Sequence, residues 1–317
     1  MTILLNPSSL WAQCATVLTA ATLAACGGGG TDMAASDSAN SASALRAQAP
    51  HDTTDSVAVM RAMQNATTTT TATTTLAPWV PKVSDTWQWQ LTGTINTSYA
   101  VKVYDIDLFD APTNVITTLH SQGKYVVCYM SAGSSENWRP DYAKFLPSDL
   151  GNSLSGWAGE KWLDTRSANV RAIMAARMDL AKARGCDGVE PDNVDGYTNN
   201  PGFPLTATTQ LDYNRYLAAQ AHARGLKIAL KNDVDQIAAL QPSFDFAINE
   251  QCNQYSECAG YAAFTSAGKP VFNAEYKSKW ATDATARAAL CTKSRAANIR
   301  TLVLPLSLND KLRYSCD

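Results

Sequence analysis

Histidine is scarce in this chain of 317 residues: His51, His120 and His222 are all it has. A zinc centre built on imidazoles and a Ser-His-Asp triad therefore have almost nothing to draw on. No Walker loop and no G-x-G-x-x-G run occurs, so a phosphate-cradling nucleotide site is not supported. Charge is thin as well, at 17% of residues with a net of −2. Without a basic field, nucleic acid is excluded as the expected partner. Long apolar runs are missing. Residues 10–25, LWAQCATVLTAATLAA, are too short to cross a bilayer comfortably.

That short run ends at Leu23-Ala24-Ala25-Cys26, which resembles a bacterial lipobox with Cys26 as the lipidated residue. No Lys or Arg precedes Arg46, so the positive start usual in signal peptides is missing. The expectation is an exported bacterial protein, secreted or lipid-anchored at the envelope through residues 1–26. Aromatics are absent from 27–78, and Thr67 to Thr75 is threonine throughout except at Ala72. Such a segment buries too little apolar surface to offset chain entropy and reads as a disordered linker. The structured body is expected over 79–317, as a monomer touching membrane only through the anchor.

What is present is concentrated in that body: seven of the eight tryptophans and six of the eight cysteines. In an exported chain the even set Cys128, Cys186, Cys252, Cys258, Cys291 and Cys316 suggests disulfides. The reading pairs Cys252 with Cys258 and Cys291 with Cys316, leaving Cys128 and Cys186 on neighbouring strands. Reduced buried thiols are the alternative.

One pattern recurs. An Ala-rich amphipathic helix ends at Gly or Asn and a β-branched strand follows, around Gly123, Gly185, Gly225, Gly268 and Asn298. These are helix C-caps, and helix-cap-strand units in series imply parallel strands with crossover helices. Eight strands are read near 86–91, 101–108, 125–130, 187–192, 226–231, 244–249, 270–275 and 301–306. In about 250 residues this favours a closed (β/α)8 TIM-type barrel over an open doubly wound sheet. The link from Thr92 to Ala100 is too short for a regular helix, so one early helix is degenerate.

A barrel carries its site at the C-terminal ends of its strands. Those ends are rich in polar residues: Asp105 and Asp107, Tyr129 and Ser131, Glu190 to Asp195 with Asn193, Lys231 and Asp233, Asn249 and Glu250, Glu275 and Tyr276. His120 and His222 precede helix-ending glycines and belong on the opposite face. Asp192 and Glu250 close the fourth and sixth strands, so their side chains share a barrel layer. Their expected spacing suits paired carboxylates that hydrolyse glycosidic bonds, without separating retention from inversion. Glu190 lies one layer deeper, either raising its neighbour's pKa by like charge or pairing with Lys231. Lys231 itself reads as a structural ion pair before a Schiff-base lysine. Trp138, Trp157 and Trp162 follow the third strand on the longest loop. Trp87, Trp89 and Tyr276 are candidate walls for sugar rings, whereas Trp162 reads as an anchor for the loop.

The runs WQWQL (87–91), YDIDLFD (104–110), CYMSAGSSENWRPD (128–141), KWLDTR (161–166), GCDGVEPDNVDGY (185–197) and INEQC (248–252) together resemble glycoside hydrolase family 114, the endo-α-1,4-polygalactosaminidases. The resemblance spans nearly the whole body, in order. It implies a (β/α)8 barrel that cuts α-1,4-linked galactosamine polymers of microbial exopolysaccharide without a cofactor. It also implies Asp192 as nucleophile, hence retention, and Glu250 as acid/base. Between Glu190 and Asp192, barrel position favours Asp192. A polymer bearing ammonium groups would be drawn to an acidic cleft lined by Asp105, Asp107, Asp195, Asp233 and Glu275. The rival readings are a divalent-metal enzyme on Asp192, Asp195, Glu250 and Glu275, and a carbohydrate-binding lipoprotein without turnover.

Overall fold

The computed structural model describes residues 76–317. The expected leader with Cys26, most of the linker, and His51 lie outside the described residues. The chain runs β1 (Trp87–Gln90), β2 (Val103–Asp107), α1 (Thr113–Ser121) and β3 (Tyr125–Ser131). An insert of three short strands follows, β4 (Ser134–Glu136), β5 (Leu150–Ser153) and β6 (Glu160–Leu163). Then come α2 (Ala168–Arg184), β7 (Gly188–Asp192), α3 (Ala207–Ala223), β8 (Lys227–Lys231), α4 (Ile237–Leu240) and β9 (Phe246–Glu250). The last stretch holds α5 (Cys252–Tyr255), α6 (Ala262–Ser266), β10 (Val271–Glu275), α7 (Ser278–Thr282), α8 (Ala284–Ala296), β11 (Ile299–Val303) and β12 (Tyr314–Ser315).

Strands β1, β2, β3, β7, β8, β9, β10 and β11 pair in that order, all parallel. The five expected caps explain the regularity. Gly123, Gly185, Gly225, Gly268 and Asn298 have φ between 55° and 90°, the left-handed turn that ends a helix and starts the next strand. As expected, no helix joins β1 to β2. The final parallel strand starts two residues before its expected position, directly after Asn298.

The curled sheet buries apolar side chains on both faces. Tyr104, Ile106, Val126, Met130, Val189, Ile228 and Leu230 point outward to the helices, while Trp87, Trp89, Val103, Val127, Ala229, Phe246, Ile248, Phe272 and Leu302 fill the interior. Trp87 stacks on Trp89 and on Phe272, at 5.8 and 5.0 Å between ring centroids. Trp79 closes the lower end against Tyr125 and Phe246. Among the described residues no ladder joins β1 to β11. The C-terminal stretch bridges that seam instead: Leu91 and Thr92 donate to the Leu308 carbonyl, and Arg313 donates to the Trp87 carbonyl.

All three expected disulfides form. Cys128–Cys186 ties β3 to the start of β7, Cys252–Cys258 closes the loop after β9, and Cys291–Cys316 fastens α8 to the C-terminus. The insert is not a loop. β4 and β5 pair antiparallel with β6, and Trp162 is buried against Gly196. Arg177, buried in α2, ties the insert to the barrel by gripping Asp141 and donating to the Ser131 carbonyl at 2.7 Å.

Candidate active site

Alternation along each strand decides which polar residues reach the interior. On β7, Val189 packs outward, so Glu190 and Asp192 point in; on β8 and β9 the same rule turns Lys231 and Glu250 inward. The ladder between β7 and β8 runs only through Gly188↔Lys227 and Val189↔Ile228. Above it, Lys231 makes the connection. Its Nζ lies 2.7 Å from Glu190 Oε1, 3.1 Å from Asp192 Oδ1 and 3.4 Å from Glu250 Oε2. The sum of the last two distances caps the separation of those oxygens. That ceiling sits at the lower edge of the roughly 6.5–9.5 Å that an inverting pair needs for its water.

Lys231 is buried under the Trp89 ring, 4.7 Å from its centroid. Burial works against its charge, and Asp192, Glu190 and Glu250 overcome that, holding its pKa well above the ordinary lysine value. An ammonium so held is no Schiff-base nucleophile. Each facing acid also has a phenol: Tyr129 donates to Asp192 Oδ2 at 3.0 Å and Tyr276 to Glu250 Oε1 at 2.6 Å. Burial raises both phenols far above the usual range, so they stay protonated donors. Directly after these strands the backbone turns left-handed at Asn193, Asn232, Asp233 and Gln251, the backbone strain that gathers at functional sites. Asn193 donates to Ser131 Oγ at 3.0 Å, and Asn232 accepts from the Glu250 N–H at 2.9 Å.

Several expected lining residues go elsewhere. Asp107 is spent on the buried Arg139 guanidinium, at 2.6 and 2.9 Å, together with Glu136. Trp87 is core and donates to the Arg300 carbonyl. Since Glu250 points in, Asn249 points out and bonds Tyr261 OH at 2.8 Å. Glu275 likewise faces outward, accepting from the Asn253 N–H at 2.7 Å and from Asn273. The four acids of the metal reading therefore do not converge on one point. His120 and His222 bond Asp187 and Asp245, just before β7 and β9, on the opposite face as expected.

Asp195 and Asp233 stay at the strand ends. Burial, reinforced by Asp192, lifts the Asp195 carboxyl to about 6. Burial and then Asp195 lift Asp233 to about 8, although Tyr197 and Asn214 bond it. Asp105 is buried beside Glu190 and raised well above the carboxylate range, by burial first and that neighbour second. The arrangement is a pair of inward carboxyls over an ammonium, each with a neutral donor: equipment for acid–base and nucleophilic chemistry at one bond.

The profile of glycoside-hydrolase family GH114 matches residues 68–317. The chain belongs to this family. Among solved structures it is similar to Ega3 of Aspergillus fumigatus, determined in complex with galactosamine. The two are 44% identical with a TM-score of 0.72, over 76% of this chain and 98% of that one. The glycoside hydrolase domain of PelA from Pseudomonas aeruginosa, 14% identical, shares the fold at a TM-score of 0.57, over 73% of this chain and 97% of that domain. An uncharacterized protein of Deinococcus radiodurans is 27% identical over 176 residues, 49% of this chain. The match spans 57% of that protein's length.

In this GH114 chain the site has members that sequence reasoning missed, all from the insert. Ser134 Oγ meets Ser131 Oγ at 2.6 Å and donates to Glu160 Oε2 at 2.6 Å. Burial is the main lift on Glu160, with Glu136 and Asp192 adding to it, and takes its carboxyl to about 7. Glu160 stands in EKWL, where the only available signal was a buried Trp162 two residues on.

Proposed function

We propose that this protein hydrolyses α-1,4-linked galactosamine polymers of exopolysaccharide within the chain, with retention, using Asp192 as nucleophile and Glu250 as acid/base. The observation that carries the reading is the pair of inward carboxyls bridged by Lys231, whose facing oxygens lie no farther apart than the lower edge of the inverting range, which favours retention. The galactosamine complex of Ega3, at 44% identity, supports the sugar. The electrostatics support it too. Asp195 and Glu160 make no ion pair among the described residues, and as the pH rises through about 6 and about 7 they add negative charge for an ammonium-bearing chain.

In the first step Glu250 gives its proton to the leaving oxygen while Asp192 attacks the anomeric carbon from the opposite face. The glycosyl–oxygen bond breaks and a glycosyl ester on Asp192 forms. Lys231 and Tyr276 hold the carboxylate that Glu250 becomes, and Tyr129 and Lys231 keep Asp192 oriented. Glu250 then takes a proton from water, which opens the ester. Export with lipidation at Cys26, and a linker carrying the 79–317 body away from the envelope, complete the proposal. The three disulfides support an oxidising destination.

Mass spectrometry of products from α-1,4-galactosamine oligomers is the test. Wild type shortens them, while Glu250→Gln and Asp192→Asn lose about 10²–10⁴-fold in rate. Intact oligomers with wild type would refute the substrate. Equal turnover in either amide variant would refute the pair.

A further inference from the structure

Four carboxyls surround Lys231 at this level of the barrel: Asp105, Glu190, Asp192 and Glu250. Lys231 forms ion pairs with the last three, not with Asp105. Asp105 is 1% exposed, and among the described residues no N–H or O–H reaches either of its oxygens. Glu190, fully buried, spends Oε1 on Lys231 and leaves Oε2 without a donor. Both side chains turn into the barrel interior from β2 and β7, and Glu190 is the neighbouring charge that acts most strongly on Asp105. Two carboxyls can bond only when one brings a proton. A single proton thus satisfies Glu190 Oε2 and one of the two Asp105 oxygens.

The ammonium decides where that proton sits. Lys231 pairs directly with Glu190 at 2.7 Å, whereas its pull on Asp105 comes without an ion pair and is outweighed by burial and by the charge of Glu190. The other inward titratable groups are Asp107 on the same strand, Tyr129 on β3, Asp192 on β7 and Glu250 on β9; Trp89 on β1 does not titrate. The acids among them add negative charge and oppose a further carboxylate.

We propose that Asp105 is a neutral positioning residue, donating its proton to Glu190 Oε2 throughout the reaction and so leaving Lys231 free to bridge Asp192 and Glu250. The proton stands on the burial and the unpartnered oxygens of the two carboxyls; its consequence for turnover rests on the hydrolase reading above.

The infrared C=O stretch of protonated carboxyls, recorded on the full chain at pH 9, is the direct test. There Asp195 (about 6), Glu160 (about 7) and Asp233 (about 8) have given up their protons. A band persists in wild type and vanishes in Asp105→Asn. A wild-type spectrum without it, or a band untouched by that substitution, overturns the proposal. Kinetics on galactosamine oligomers test the role. Asn keeps a neutral donor facing Glu190, so kcat falls by about threefold at most. Asp105→Val removes the donor and Glu190 draws Lys231 to itself. In that variant kcat falls about thirtyfold or more, KM changes less than about twofold, and the acidic limb of kcat/KM moves to higher pH. If Asp105→Asn, folded, is as impaired as Asp105→Val, the positioning role is wrong. If wild type leaves the oligomers intact, the substrate reading fails while the infrared result still decides the proton.

Discussion

Tyr276 holds Glu250 with a bond of 2.6 Å, and among the described residues only Lys231, at 3.4 Å, stands behind it. Tyr129 holds Asp192 at 3.0 Å with Asn193 behind it at 3.4 Å. Hydrogen bonds to charged groups contribute about 1.5–3 kcal/mol, and each 1.36 kcal/mol is tenfold in rate. Tyr276→Phe should therefore lower kcat on galactosamine oligomers by about 10–100-fold, and Tyr129→Phe by less because Asn193 partly substitutes. Steady-state kinetics of the two variants check this; the reverse order would mean Glu250 is not a reacting group. That Asp192 and Glu250 face one another was readable, because they end the fourth and sixth strands of the barrel, β7 and β9, and period-two alternation turns both inward. Asn249 and Glu275 were misjudged by the same rule left unapplied. A polar residue at a strand end lines the cleft only when its neighbour points out, and their neighbours Glu250 and Ala274 point in.

At the scale of elements, the corner from β3 into the insert depends on a close approach. A Cβ on Gly133 would stand 1.6 Å from the Asn193 carbonyl oxygen and 2.6 Å from its carbon. Backbone is on the other side, so no side chain can swing away. Gly133→Ala should push the corner between β3 and β4 off the Asn193 backbone, displace Asn193 beside Asp192, and cost about 3 kcal/mol or more. Thermal unfolding with parallel kinetics reads both effects, and an unchanged midpoint would show that the corner gives way freely. This contact also marks what the sequence left hidden. The barrel strands were legible because each follows a capped helix and carries β-branched alternation. SSE, LGNS and EKWL have neither, and they form strands only because β6 pairs on both sides while Arg139 and Arg177 pin the insert with buried ion pairs. Glu160 and Ser134 were out of reach for the same reason: their place beside Asp192 comes from that pairing, not from local pattern.

For the molecule as a whole, acids raised by burial make stability depend on pH in one direction. Asp195, Glu160 and Asp233 reach about 6, 7 and 8 when folded, against roughly 4 for unfolded carboxyls. Between those values the folded chain binds more protons than the unfolded one, so stability falls as pH rises. His120 acts in the same sense. Its bond to Asp187 raises its pKa, and the stability this gives is present below the unfolded value and lost as pH climbs through the folded one. The melting temperature should thus decline from pH 5 to pH 8, with the final part of the decline belonging to Asp233. Asp233→Asn takes up no proton on folding, while its amide can still accept from Asn214 at the position where Asp233 does so at 2.9 Å. Melting curves across this range should match wild type near pH 4 and exceed it at pH 8. A wild-type melting temperature that stays level or rises between pH 5 and 8 would mean that these acids are ionised in the folded chain. The crowd of negative charge offered to a cationic polymer would then be present at every pH, instead of being filled out as the pH rises.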